Sequence, residues 1–82
     1  MKIDIGCGLN KQPGYIGIDI ADTVDVDIRC DINKGIPLED NTVEKVIASH
    51  SLEHVQDLMF IMKELYRVCK DRATICIVAP YY

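Results

Sequence analysis

Asp4-Ile5-Gly6-Cys7-Gly8 is the stretch that decides how this chain folds. An apolar run over residues 1–5 stops at two glycines spaced G-x-G, and a second run, Tyr15-Ile16-Gly17-Ile18, stops at the carboxylate of Asp19. Each pattern predicts a short strand that delivers a chemical group at its carboxyl end. In open parallel sheets, ligands bind in the crevice outside those ends, where the strand order reverses. Glycine at positions 6 and 8 permits positive φ and lets a ligand lie against the main chain with no Cβ between. A lone G-x-G usually makes only a turn. Here three acids, Asp4, Asp19 and Asp31, and a polar cluster over residues 49–54 also sit where apolar runs stop, which points to one shared site.

The flanking chain supplies the rest of the sheet. Residues 15–20 alternate Ile16, Ile18 and Ile20 against Tyr15, Gly17 and Asp19, and residues 23–31 alternate Val24, Val26, Ile28 and Cys30 against Thr23, Asp25, Asp27, Arg29 and Asp31. Period-2 patterns of this kind predict strands with one buried face. Residues 33–42 are rich in turn formers and read as loop. Residues 43–49 read as a fourth strand and 73–79, ended by Pro80, as a fifth that is apolar on both faces. Between them, residues 55–70 carry the one helical pattern, with Val55, Leu58, Met59, Met62, Leu65, Tyr66 and Cys69 on the apolar face, and Asp71-Arg72 turns the chain.

The first two connectors are too short for helices. A parallel crossover normally takes a dozen or more residues, whereas residues 6–14 are broken by Pro13-Gly14 and only Ala21-Asp22 separate the second and third predicted strands. The polar face of these strands is then either solvated or covered from outside the chain, with self-association as one way to cover it. An antiparallel meander stays open as the alternative.

Composition narrows the class. A chain of 82 residues is one small domain, and at this size about 60–65% of the unfolded surface is buried. Hydrophobic content of 49% and charge of 27% fit a folded globular protein. No apolar run approaches the roughly 20 residues of a membrane helix, and the amino terminus does not fit a signal peptide. Cysteines at 7, 30, 69 and 76 stand singly, which favours a reducing compartment and a cytoplasmic location over a disulfide frame. A net charge of -4 argues against a nucleic-acid backbone as partner.

The ligand class follows from what is missing. A dinucleotide fingerprint needs a third glycine where Lys11 stands and a helix whose amino terminus holds the pyrophosphate. S-adenosylmethionine has no phosphate. It offers a sulfonium cation, a ribose diol and an adenine amine, and a glycine turn with several carboxylates suits those groups.

Taken in order, Asp4-x-Gly6-x-Gly8, Tyr15-Ile-Gly-Ile-Asp19, Asp31-Ile32, Pro37-Leu-Glu-Asp-Asn, Ala48-Ser-His-Ser-Leu-Glu-His-Val55, Leu65-Tyr-Arg-Val-Cys-Lys70 and Ala79-Pro80 resemble class I S-adenosylmethionine-dependent methyltransferases, in a small form with a minimal first crossover. The resemblance implies an α/β, Rossmann-like, mostly parallel sheet of order 3-2-1-4-5 with few covering helices, stopping before the family's final two strands. It implies that Gly6, Cys7 and Gly8 form the turn under the methionine part of the cofactor, and that Asp4 steadies that turn or reaches the amino group through water. Asp19, with Ile20 beside it, would take the ribose hydroxyls. Asp31 and the Ile32 backbone would hold the adenine amine. Ser49 and His50 would line the cofactor, with His50 as the general base toward an unassigned methyl acceptor. Each acid can also be read as an ordinary strand-end turn former.

Two further readings stay beside this one. His50-Ser-Leu-Glu53-His54 matches the H-x-x-E-H pattern of zinc peptidases, but the first histidine falls at a strand end instead of inside a helix. Glu53 and His54 are more simply read as capping the helix start. A binding module that kept the fold without the chemistry is the second. Lys70-Asp-Arg-Ala stands where the family usually has Pro-Gly-Gly, and Tyr81-Tyr82 resemble the opening of the region that completes the acceptor pocket.

Overall fold

The computed structural model describes residues 1–7, 11–49 and 56–78. Five strands form one sheet: β1 (Lys2–Ile5), β2 (Ile16–Asp19), β3 (Ile28–Arg29), β4 (Val43–Ser49) and β5 (Cys69–Val78). Helix α1 (Leu58–Val68) joins the last two, and a 3-10 turn spans Ile32–Lys34. The order is β3-β2-β1-β4-β5, and every neighbouring pair runs parallel. This is the order that the family resemblance implies, and the parallel pairing excludes the meander. The chain steps outward from β1 to β2 and β3, then crosses back to β4, so the reversal falls at the carboxyl ends of β1 and β4.

One face of the sheet is built by Ile3, Ile5, Ile18, Val46 and Ala48, all at or near zero exposure. Against them α1 sets Ile61, Leu65 and Val68, spaced i, i+4 and i+7. Each such side chain contributes roughly 1.5–3 kcal/mol on burial, which makes α1 the principal cover of this face. The helix opens on Asp57, whose carboxylate accepts from the Phe60 N–H at 3.1 Å. The Glu53 and His54 expected as caps lie outside the described residues.

The buried stripe differs from the expected one. Leu58, Met59, Met62 and Tyr66 are 52%, 66%, 36% and 84% exposed. The apolar arc of α1 is wider than the sheet can cover, and the sheet takes the Ile61-Leu65-Val68 edge of it. On the adjoining edge, Arg67 reaches the main-chain oxygens of Ile36 and Leu38, both at 2.8 Å, and the Asp40 carboxylate at 2.7 Å. Glu64 accepts the Ile36 N–H at 2.8 Å. The loop before β4 is therefore fastened to the helix by the two residues that a helical wheel places on its polar side.

The predicted third strand, 23–31, shrinks to Ile28–Arg29. Val24 is 96% exposed, and the Val26 N–H closes a turn on the Thr23 carbonyl at 3.1 Å. Side-chain carboxylates take main-chain partners that a longer ladder would need. Asp27 accepts the Gly17 N–H at 2.8 Å, and the Asp27 N–H returns to the Gly17 carbonyl at 2.9 Å. Asp27 is thus bonded beside Gly17, while the chain before it lies over β2, with the Asp25 carbonyl oxygen above Gly17.

That crossing corrects a second expectation. At Asp4 and Gly17 the polar face of β1 and β2 is covered by the chain itself: Asp4 is 4% exposed and Gly17 is buried, with Lys11, Gln12 and Asp25 against them. Apolar side chains of the sheet are exposed at β5, one of its two edge strands. There Ile75 and Ile77 are 37% and 45% exposed, and among the described residues nothing covers them. The turn expected at Asp71-Arg72 occurs inside this strand. Residues 70–73 bulge opposite Glu44 between the pairs Val43↔Cys69 and Lys45↔Thr74, with Arg72 at φ 66.

Candidate functional site

Strand ends gather the candidate residues. Gly6 follows β1 at φ 70, in the left-handed region that glycine enters without a Cβ penalty. Its N–H donates to the Ile18 carbonyl at 2.7 Å, so the turn leaving β1 lies over the end of β2. Asp19 is the next residue after Ile18 and ends β2. The glycine turn and the acid are therefore on one edge, held together by a main-chain bond. Asp19 Oδ1 accepts the Ala21 N–H at 3.1 Å and its carbonyl accepts the Cys30 N–H at 2.9 Å, which bends the chain away from the site and ties it to the end of β3. Ile20, beside it, is 60% exposed.

Asp31 follows β3 on the same edge. Its Oδ1 accepts the Asn33 N–H at 3.0 Å and caps the turn Ile32–Lys34. Asn33 Oδ1 in turn accepts the Gln56 N–H at 2.9 Å, joining this turn to the approach to α1. The end of β4 is Ser49, paired with Val78. Gly8, His50 and the whole of His50-Ser-Leu-Glu-His54 lie outside the described residues. Among the described residues, no three His, Cys, Asp or Glu side chains converge as a metal site.

Asp4 has a defined structural task. Its buried carboxylate accepts the Gln12 N–H at 2.8 Å, tying Gln12 to β1. The sequence reading missed three other supports: Lys11, Asp27 and Gly17. Asp27 Oδ2 receives both the Gly17 N–H at 2.8 Å and the Lys11 ammonium at 3.0 Å. A Cβ built on Gly17 would stand 2.3 Å from the Asp25 carbonyl oxygen and 2.7 Å from Cys7 Sγ. A glycine inside a strand marks a close backbone approach, so Gly17 was the available signal.

The site is acidic, and its thiols register that. Burial pushes the Cys7 thiol up, and the charges of Asp4, Asp19 and Asp25 push it further. Burial also raises Cys30, helped by Asp31 and Asp19. Asp19 is felt by both, which places it between the end of β1 and the end of β3. Both thiols are thus biased toward the protonated form. The Gly17 N–H, and after it Lys11, hold the Asp27 carboxyl below its usual range, while Asp27 raises Lys11. The Lys11 ammonium is thus paired with Asp27. Such a site suits a ligand with a positive centre and hydroxyl or amine donors, and gives little to a pyrophosphate.

Comparison with known proteins identifies a family and a fold. The family described as "Methyltransferase domain" matches residues 3–77. A crystal structure from Methanococcus maripaludis, of a protein provisionally assigned as an S-adenosyl-L-methionine-dependent methyltransferase, superposes with a TM-score of 0.72 at 20% identity. The match covers 93% of this chain and 47% of that one, so the chain spans about half the length of the structure it resembles. At that identity the likeness concerns the fold. No curated protein matches the chain.

Proposed function

The chain belongs to the methyltransferase domain family, and from that membership we propose that its strand-end cluster binds S-adenosyl-L-methionine and presents the methyl group to an acceptor. The observation that carries this reading is the Gly6 N–H bond to Ile18 O at 2.7 Å, which sets a left-handed glycine turn directly against the acid that ends β2. When bound, the cofactor supplies a methyl carbon already activated by its sulfonium. The protein's task is then to align it.

In this proposal the turn at Gly6, Cys7 and Gly8 carries the methionine end. Asp19 takes the ribose diol, since a carboxylate offers two acceptor oxygens, with Ile20 against the base. Asp31 and the Ile32 main chain take the adenine amine. Ser49, which ends β4, and His50 next in sequence line the cofactor and face the acceptor, and His50 is the candidate base for an acceptor that must lose a proton. The acids around Cys7 favour a cationic ligand over a phosphorylated one. The proposal concerns the donor side of the reaction.

Isothermal titration of the whole chain with S-adenosylhomocysteine tests it. Binding should be measurable, and Asp19→Ala should weaken it by about 1–3 kcal/mol through loss of a charge-assisted pair. No binding by the wild type, or unchanged affinity in Asp19→Ala, refutes the assignment. Binding with no methyl transfer to any acceptor offered would favour the second reading, a module that holds the cofactor without the chemistry.

A further inference from the structure

We propose that Asp27 is a positioning residue for the donor site: through its bonds to Gly17 and Lys11 it latches the chain around Asp25 over β2 as a strap that holds the chain at Cys7 and at Lys11. This rests on the reading of the glycine turn as the donor site. Nothing in the proposal requires Asp27 to touch the cofactor.

The contacts divide between these two points. At the first, Cys7 Sγ lies 3.6 Å from the Asp25 carbonyl oxygen. At the second, the Lys11 ammonium meets Asp27 Oδ2 at 3.0 Å, and the next residue donates its N–H to buried Asp4. The strap is held to the sheet at Gly17, which exchanges two bonds with Asp27, one with its carboxylate and one with its main-chain N–H. A single carboxylate oxygen therefore couples the strand, the strap and Lys11. Without a side chain at position 17, the strap can lie on the strand itself, and Cys7 and Lys11 pack into the same gap. Where a helix would otherwise brace the glycine turn from behind, a few residues and one carboxylate do so.

Removing the latch should loosen the turn while leaving the apolar core, on the other face, in place. Titration with S-adenosylhomocysteine should give affinity at least tenfold weaker in Asp27→Ala and an intermediate loss in Asp27→Asn, which keeps an acceptor for Gly17. Lys11→Met should weaken binding severalfold, and adding it to Asp27→Asn should change little, because the two residues act as one unit. Amide hydrogen exchange supplies the second readout: protection at residues 6, 7 and 12 should fall in Asp27→Ala while that of α1 is kept. Affinity within twofold of wild type in Asp27→Ala, fully additive losses in the double variant, or exchange that rises equally in α1 would each overturn the latch. Failure of the wild type to bind overturns the donor reading and the positioning role with it, whereas tight wild-type binding with an indifferent Asp27 overturns the latch alone.

Discussion

Gly17→Ala puts the covering of β2 by the chain's own strap to the most direct trial. The added methyl would stand 2.3 Å from the Asp25 carbonyl oxygen, 2.7 Å from Cys7 Sγ and 3.1 Å from Lys11 Cδ. The lysine stem can swing aside, but a main-chain oxygen moves only if the strap moves. Overpacking of this kind costs about 1–3 kcal/mol, against which the usual loss of glycine entropy in the unfolded chain returns about 0.4–1 kcal/mol. The clash involves backbone, so the upper part of the range applies, for a net destabilisation of about 1–2 kcal/mol. In a domain of this size each kcal/mol lowers the melting temperature by roughly 4–8 °C, which predicts a drop of roughly 5–15 °C. Urea unfolding followed by far-UV circular dichroism measures it, with the midpoint shifting at constant slope. A variant as stable as the wild type, or more so, would mean that residues 23–27 do not lie on Gly17.

Two further outcomes follow from side chains outside the donor turn. Glu64 is held below the usual carboxylate range first by the Arg67 guanidinium and then by the Ile36 N–H, so its contribution is present above its unfolded value, near 4.3, and is lost as pH falls through the lowered folded value. Urea midpoints taken from pH 6 down to about 3 should therefore fall less in Glu64→Gln than in the wild type, yet not become flat, because Asp27 is depressed as well; identical pH profiles would show that the helix-to-loop clamp contributes nothing. Among the thiols, Cys76 is exposed whereas Cys7 and Cys69 are buried, so limited alkylation at neutral pH followed by peptide mapping should modify Cys76 first, and early modification of Cys7 would contradict its burial under the strap.

The strand ends and the acids that sit there could be read from the residues because both depend on local pattern, whereas the strand order followed only from the family resemblance. Short apolar runs that stop at Gly6 and Asp19 mark where strands end. The strap could not be read in the same way. Val24, Val26 and Ile28 alternate with Asp25 and Asp27 as well as any strand, and what breaks the pattern is tertiary: Asp27 finds a main-chain partner in Gly17, which no period reveals. The face of α1 was shifted for a related reason. Met59, Met62 and Tyr66 complete an apolar arc that an isolated wheel cannot rank, and only the width of the sheet decides that Ile61, Leu65 and Val68 are the residues taken inward.

Gly17 also answers how parallel strands can follow one another with so little chain between them. A parallel connection must climb over the sheet to start the next strand from the same end, and the usual solution, a helix, stands about 10 Å above the strands because side chains fill the space between. Between β1 and β2 and between β2 and β3 the chain spends only residues 6–15 and 20–27. It can do so because the strand it crosses presents no side chain at the crossing point, so main chain rests on main chain and the Asp25 oxygen reaches the place a Cβ would occupy. The short path has a consequence for the site. The segment that covers the sheet on this side is the same one that grips Cys7 and Lys11, so the hold on those two residues and the cover of the sheet cannot be altered separately. A longer connector with a helix would cover β2 equally well and free position 17 to carry a side chain, but the grip on Cys7 and Lys11 would then have to be supplied by other residues.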